Sequence, residues 1–128
     1  MDAGKANRPS WFDITVEHAD QLRDFYAAVC GWSAEPHDMG SYQDYSMKAE
    51  NGEVVAGICH ARGDNAALPP VWIMYIPVED IDAALTQVKT QGGAVLELRD
   101  MGPNGKIAII RDPAGAHVAL WQQGSNGP

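Results

Sequence analysis

The chain has 128 residues, of which 45% are hydrophobic and 20% charged, and its formal net charge is −8 with a pI near 4.7. This length and composition predict one globular domain over residues 1–128 that can bury a core. The negative charge argues against nucleic acid as a partner, because nucleic-acid binding needs a basic surface. No apolar run reaches the roughly 18 residues of a membrane span, so no membrane association is expected.

The start of the chain and its cysteines indicate the compartment. The first ten residues lack the apolar core of a signal peptide. The two cysteines, Cys30 and Cys59, are too few for a disulfide framework, and their spacing matches no zinc motif. We therefore expect a cytoplasmic protein with two reduced thiols.

The first predicted elements are a strand and an amphipathic helix. Residues 11–16 alternate between polar and apolar side chains, as a half-buried strand does. The helix that follows has one apolar stripe with the spacing i, i+3, i+4 and i+7, formed by Leu22, Phe25, Tyr26 and Val29. We expect Asp20 to cap the start of this helix and Gly31 to end it.

The same order of elements returns after residue 70. A strand that alternates over 72–77 leads into a second helix, which stops at Gly92 and Gly93. Its apolar stripe consists of Ile81, Ala84, Leu85 and Val88. Short β-like segments follow each helix, and the last two, KIAIIR and HVALW, flank the turn residues DPAG and predict a hairpin.

An offset of 62 residues aligns the two halves without a gap. Residues Ile14, Val16, Glu17 and Asp20 then fall on Ile76, Val78, Glu79 and Asp82. This internal repeat predicts two βαβββ modules, at 11–60 and 71–122, joined by a linker at 61–70. One module cannot bury its sheet alone, so the modules must pair, within one chain or by exchange between chains. Each helix covers one sheet face, which leaves the opposite faces to form a cleft.

With these features the sequence resembles the vicinal oxygen chelate superfamily, which includes glyoxalase I, bleomycin-resistance proteins and extradiol dioxygenases. The resemblance is carried by DITVEHADQLRDFYAAVCGW, PPVWIMYIPVEDIDAALTQVKTQGGAVL and DPAGAHVALWQ. It implies an α+β fold in which paired βαβββ modules form a U-shaped, partly closed barrel of mixed β-sheet with the helices outside. It also implies a small-molecule ligand in the cleft and, commonly, a homodimer, which we expect here.

Metal-dependent members of this family hold an ion in that cleft on four side chains. Carried over residue by residue, the four positions are Trp11, Gly57, Ile73 and Ala119. None of these residues has the imidazole, carboxylate or thiolate that a divalent ion needs. We therefore expect neither a metal nor a cofactor, and we interpret Trp11 as part of the wall of an apolar cleft.

Alternation along the strands predicts the remaining side chains of the cleft. Besides the four positions above, the predicted ligand-binding residues are Thr15, Cys59 and Trp121. Asp13 is a candidate base or cation ligand beside aromatic walls, Tyr75 a candidate hydrogen-bond donor and His117 a candidate general base. The faces of Tyr42 and Tyr45 depend on a loop at 37–43 whose register the sequence does not fix.

Three functions stay open at this point. The first is a metal-free protein that binds or sequesters a small organic ligand, cationic or aromatic, in an aromatic cleft. The second is a metal-independent isomerase, cyclase or lyase that acts on a small carbonyl or aromatic metabolite through Asp13, Tyr75 and His117. The third, which we rank last, is a metal-dependent lyase or dioxygenase whose ligands have moved onto Asp13, His60 and His117.

Overall fold

The computed structural model describes residues 7–124. The chain divides into two compact units, residues 12–72 and residues 7–11 with 73–124. We call them the first and the second module. Each has one helix and four strands in the order βαβββ, so the predicted α+β class and module order are confirmed. No helix within residues 7–124 is long and apolar enough to span a membrane.

The first module forms a mixed four-stranded sheet with one helix. Its elements are β1 (Trp11–Val16), α1 (Ala19–Cys30), β2 (Ser33–Asp38), β3 (Gln43–Lys48) and β4 (Val54–His60), and of these residues only Trp11 is counted in the other unit. The strand order is β2-β3-β4-β1, with β1 parallel to β4 and the other pairs antiparallel. This sheet is open and does not close on itself.

The second module repeats this arrangement. Its elements are β5 (Ile73–Pro77), α2 (Ile81–Thr90), β6 (Ala94–Asp100), β7 (Lys106–Arg111) and β8 (His117–Gln122). The strand order is β5-β8-β7-β6, and β5 runs parallel to β8. The predicted hairpin is present between β7 and β8, where the Asp112 carboxylate accepts hydrogen bonds from the backbone N–H groups of Ala114 and Ala116.

Helix α1 packs on one face of the first sheet, but only part of its predicted stripe is buried. The buried cluster on that face consists of Ile14, Ala19, Tyr45, Met47, Ala56 and Ile58. From the stripe, Leu22 and Tyr26 pack against it, whereas Phe25 and Val29 are 54% and 63% exposed. Only half of the predicted apolar stripe of α1 therefore covers the sheet.

An aromatic group closes one side of this core. Tyr26 stacks on Trp32 with 5.6 Å between ring centroids, and Trp72 meets Tyr26 edge-on at 5.4 Å. The indole Nε1–H of Trp72 donates a 3.0 Å hydrogen bond to the hydroxyl of Tyr26. Trp72 therefore lies on the side of the sheet that α1 covers, whereas Phe12 is 42% exposed.

The helix ends follow different rules in the two modules. Helix α1 has His18 at its N-cap with no side-chain cap, and Asp20 lies inside the first turn, so the prediction of an Asp20 cap is wrong. Gly31 ends α1 with a φ of 76°, as predicted. In α2 the Asp80 side chain accepts a hydrogen bond from the backbone N–H of Ala83.

Replacing the α2 cap tests this difference. Asp80→Ala should lower the free energy of unfolding by about 1 kcal/mol, because it leaves one helix N–H without its acceptor. Asp20→Ala is the matched control and should change stability by a few tenths of a kcal/mol at most, since Asp20 caps nothing. Urea denaturation measures both. An equal loss in the two variants would contradict the assignment.

Candidate functional site

The first module presents a polar sheet face on the side opposite α1. Ile14 packs into the helix-side core, so its strand neighbours Asp13 and Thr15 point to the other face. The parallel register places Asp13 beside Gly57 and Thr15 beside Cys59. Four of the residues predicted to line the ligand site therefore lie together on one face.

Strand β3 adds two residues to this face that the sequence did not reveal. Ser46 pairs with Gly57, and the same register sets Asp44 beside Cys59. We call Asp13, Thr15, Asp44, Ser46, Gly57 and Cys59 the polar face. On the neighbouring strand β2, His37 Nε2 lies 2.6 Å from the Ser46 hydroxyl. The sequence did not reveal which side chains of β3 face the site, because the length of the β2–β3 loop does not determine the register of the strand that follows it.

The Cys59 thiol is held in its protonated form. Burial, followed by the charges of Asp44 and Asp13 and a hydrogen bond to Asp44, raises the pKa of Cys59 to about 12. The Asp44 carboxylate also accepts a 2.8 Å hydrogen bond from the backbone N–H of His60. This thiol is a weak hydrogen-bond donor and not a nucleophile.

Thr15 is a buried polar residue on the polar face. Thr15 is only 5% exposed, and within residues 7–124 it is the one polar residue that is buried. Its hydroxyl forms no hydrogen bond with any group of residues 7–124, and its oxygen is not sealed from solvent. A buried hydroxyl without a partner in the chain is a group that a ligand can satisfy.

The corresponding face of the second module is mostly apolar. Tyr75 pairs with Ala119, and Ala119 pairs with Ile109. Trp121 lies two residues along β8 on the same face, beside Ile107. Ile73, at the start of β5, is 1% exposed. His117 begins β8 opposite Arg111, so it stands at the polar end of an otherwise apolar face.

A family model described as the Glyoxalase/Bleomycin resistance protein/Dioxygenase superfamily matches residues 8–120. The chain belongs to this superfamily. It is 37% identical over 117 residues to putative glyoxylase CFP32 of Mycobacterium bovis, covering 89% of this chain and 45% of that protein. It is 29% identical over 129 residues to anthracycline biosynthesis protein DnrV of Streptomyces peucetius, covering 91% and 47%. The chain thus spans about half the length of these curated relatives.

Solved structures show the superfamily fold over nearly the whole chain. Hypothetical protein BH1468 of Bacillus halodurans matches with a TM-score of 0.61 at 13% identity, covering 97% of this chain and 99% of that one. Methylmalonyl-CoA epimerase of Mycobacterium tuberculosis matches with a TM-score of 0.54 at 18% identity, covering 100% and 94%. At these identities the likeness establishes the fold and not the activity.

The metal of the superfamily does not fit the residues at its four positions. Ile73 and Ala119 are buried and apolar, Gly57 has no side chain, and the indole of Trp11 offers no lone pair to an ion. Across the described part of the chain, no group of three or more His, Cys, Asp or Glu side chains is placed to hold a metal ion.

A relocated metal site that joins Asp13 to His60 also disagrees with the geometry. His60 lies on the helix side, where its Nδ1 is 2.6 Å from the Gln43 carbonyl and its Nε2 is 4.0 Å from Asp20. Because the carbonyl can only accept, Nδ1 carries the proton. Tyr45 lies on this side too, buried and bonded to Arg23, so it forms no lid over the polar face.

A shallow depression lies on the outer side of the same module, next to α1. It has a volume of about 440 Å³ and is lined by Val16, Glu17, His18, Gln21, Leu22 and Phe25. Its lining is mostly apolar, and it shares no residue with the polar face. It is therefore a separate surface, and a ligand bound there would contact different residues from a ligand bound on the polar face.

Thiol labelling tests the environment of Cys59. With a pKa of about 12, roughly one Cys59 in ten thousand is a thiolate at pH 8, whereas Cys30 is exposed. We expect iodoacetamide to label Cys30 quickly and Cys59 only on unfolding, as read by mass spectrometry. Asp44→Asn should speed the labelling of Cys59, since it removes a charge that disfavours the thiolate. Equal labelling of both thiols in the folded protein would contradict the assignment.

Proposed function

We propose that the chain binds a small organic molecule on the sheet face opposite α1, without the metal of its superfamily. The observation that carries this proposal is the polar face, where the unpartnered Thr15 hydroxyl and the protonated Cys59 thiol lie beside the carboxylates of Asp13 and Asp44. Organic ligand sites combine a few fixed polar groups with apolar walls. Here the polar groups come from the first module.

The family resemblance extends this proposal to the second module. If the modules pair into the partly closed barrel that the resemblance implies, the apolar face of Tyr75, Ala119 and Trp121 supplies the wall for the ligand. The aromatic side chains would then stack on planar parts of the molecule. Pairing within a chain or between chains, the homodimer and the cytoplasmic location are further predictions of this proposal.

The relatives support an organic ligand by their names. One is named an anthracycline biosynthesis protein and another a putative glyoxylase. This chain spans about half the length of each relative. We therefore take from the relatives only the class of ligand, a small organic molecule, and not their activity.

A metal-independent enzyme is the second candidate, and one observation favours it. Asp13 and Asp44 lie on the same face on either side of Cys59, and the hydrogen-bonded His37 and Ser46 stand next to them. Two carboxylates on one face can remove a proton from a bound carbonyl compound and return it elsewhere, which is the chemistry of an isomerase. Tyr75 and His117 stay candidate donors for such a reaction.

Elemental analysis of protein purified without chelator tests the metal-free part of the proposal. We expect substoichiometric metal and no shift of the melting temperature in Zn²⁺, Ni²⁺, Mn²⁺ or Fe²⁺, because no donor set is present to bind them. Near-stoichiometric metal that raises the melting temperature would contradict the proposal. Asp13→Asn then serves as the control for a relocated ligand, since it should release such a metal.

A ligand screen tests the binding part. A panel of cationic and neutral aromatic compounds should contain members that raise the melting temperature, and Thr15→Val should reduce their effect. A ligand at 100 times its Kd stabilises the folded state by about 2.7 kcal/mol. Turnover of any bound carbonyl compound that disappears in Asp13→Asn, with binding retained, would favour the enzyme over the binding protein.

A further inference from the structure

The negative charge of the chain is concentrated in the first module. Residues 12–72 contain ten Asp and Glu against three Lys and Arg, a net charge of −7 out of −8 for the whole chain. Such a field raises the local concentration of cations and repels anions. The polar face lies within this module and carries two of its carboxylates.

The three cationic side chains of the first module are each engaged with a group outside the polar face. Arg23 is 2.9 Å from Asp24 and donates to the Tyr45 hydroxyl. Lys48 is 2.9 Å from Glu35, and its hydrogen bond lowers the pKa of that carboxyl. Arg62 lies over the ring of Tyr42 at 4.8 Å. None of these contacts neutralises Asp44.

The partly buried carboxylate of Asp44 can accept more hydrogen bonds than it receives from the chain. Its side chain is 16% exposed, and the contacts of its Oδ1 are the 2.8 Å bond from the His60 N–H and a 3.8 Å approach of His60 Nδ1. A carboxylate offers about four lone-pair sites, so the neighbouring thiol and the N–H leave room for a further donor. A charged acceptor in a low-dielectric site favours a charged donor.

Thr15 supplies the second, independent observation. Thr15 is only 5% exposed, and its hydroxyl has no hydrogen-bond partner within residues 7–124. Its side chain points to the same face as those of Asp13 and Cys59. Its oxygen can accept one hydrogen bond from a donor that also reaches the carboxylates. Cys59 on β4 separates Thr15 on β1 from Asp44 on β3, so the neutral acceptor and the carboxylate flank the same thiol on one face.

We propose that the polar face binds the protonated amine of an organic ligand, with Asp44 and Asp13 as charged acceptors and the Thr15 hydroxyl as a neutral one. This inference rests on the proposed function and names the ligand class for that same site. An ammonium carries three donors and no acceptor, and this face offers hydrogen-bond acceptors that include charged carboxylates. The thiol beside them stays protonated at neutral pH and adds no negative charge of its own.

The test compares one amine with its neutral counterpart. The probes are 2-phenylethylamine and 2-phenylethanol, which share the ring and the chain and differ in the charged group. Isothermal titration at low salt should show the amine binding at least about tenfold more tightly than the alcohol, because a charge-assisted hydrogen bond replaces a neutral one. The difference should shrink as salt is added.

Three variants locate the effect. Asp44→Asn keeps an acceptor for the His60 N–H but removes the charge, and should weaken amine binding by roughly tenfold or more while leaving the alcohol nearly unchanged. Thr15→Val removes the hydroxyl, should weaken the amine several-fold, and should leave the melting temperature equal or higher since no native hydrogen bond is lost. Glu50→Gln, an exposed carboxylate of the same module, is the control for net charge and should change neither affinity.

The outcomes separate this inference from the proposed function. Equal binding of the two probes, or an unchanged amine affinity in Asp44→Asn, overturns amine recognition while the ligand site stands. Loss of amine binding in Glu50→Gln as well means a diffuse charge effect and also overturns it. If Asp44→Asn unfolds, Thr15→Val decides alone. If no amine binds but neutral aromatics do, the inference fails and the proposed function survives.

Discussion

The parallel pairing of β1 with β4 determines the chemistry of the first module. It places Ile14 opposite Ile58 on the side that α1 covers, and Thr15 opposite Cys59 on the other side. A slip of one residue would exchange the two faces and send the carboxylate of Asp13 into the apolar core. The register is therefore held by burial on the helix side, and the polar face is its consequence.

The polar face adds little to the packing of the fold that carries it. The Thr15 hydroxyl has no hydrogen bond within residues 7–124 although solvent reaches its oxygen, and the Cys59 thiol is held in its neutral form near the carboxylates of Asp44 and Asp13. Polar groups that packing does not require are expected at functional sites. This is why we read the face as a binding surface, while the polar side chains of the α1 depression, Glu17, His18 and Gln21, are all exposed.

The repeat and the alternation of polarity were enough to predict the elements and most of the faces. The βαβββ order, the C-cap at Gly31 and the β7–β8 hairpin followed from local patterns that tertiary packing did not override. The cap at Asp20 failed because the helix begins at Ala19, and boundaries of one or two residues depend on packing more than on propensity.

The site was predicted less completely than the fold. Asp13, Thr15, Gly57 and Cys59 came from strands whose alternation is clear. Asp44 and Ser46 were missed because their strand follows a loop, and loop length cannot be converted into register by periodicity alone. The sequence therefore predicted an aromatic cleft, whereas the first module contributes a polar and acidic face.

The most direct measurement is a methyl-resolved NMR titration of the protein with 2-phenylethylamine, using labelled threonine, isoleucine, leucine and valine methyl groups. The account predicts intermolecular NOEs from the ligand ring to the methyl of Thr15 and none to the methyls of Ile14 or Ile58, which lie under α1. NOEs confined to the methyls of Val16 and Leu22, in the depression beside α1, would show that a ligand binds the other side of the module and would contradict the central claim.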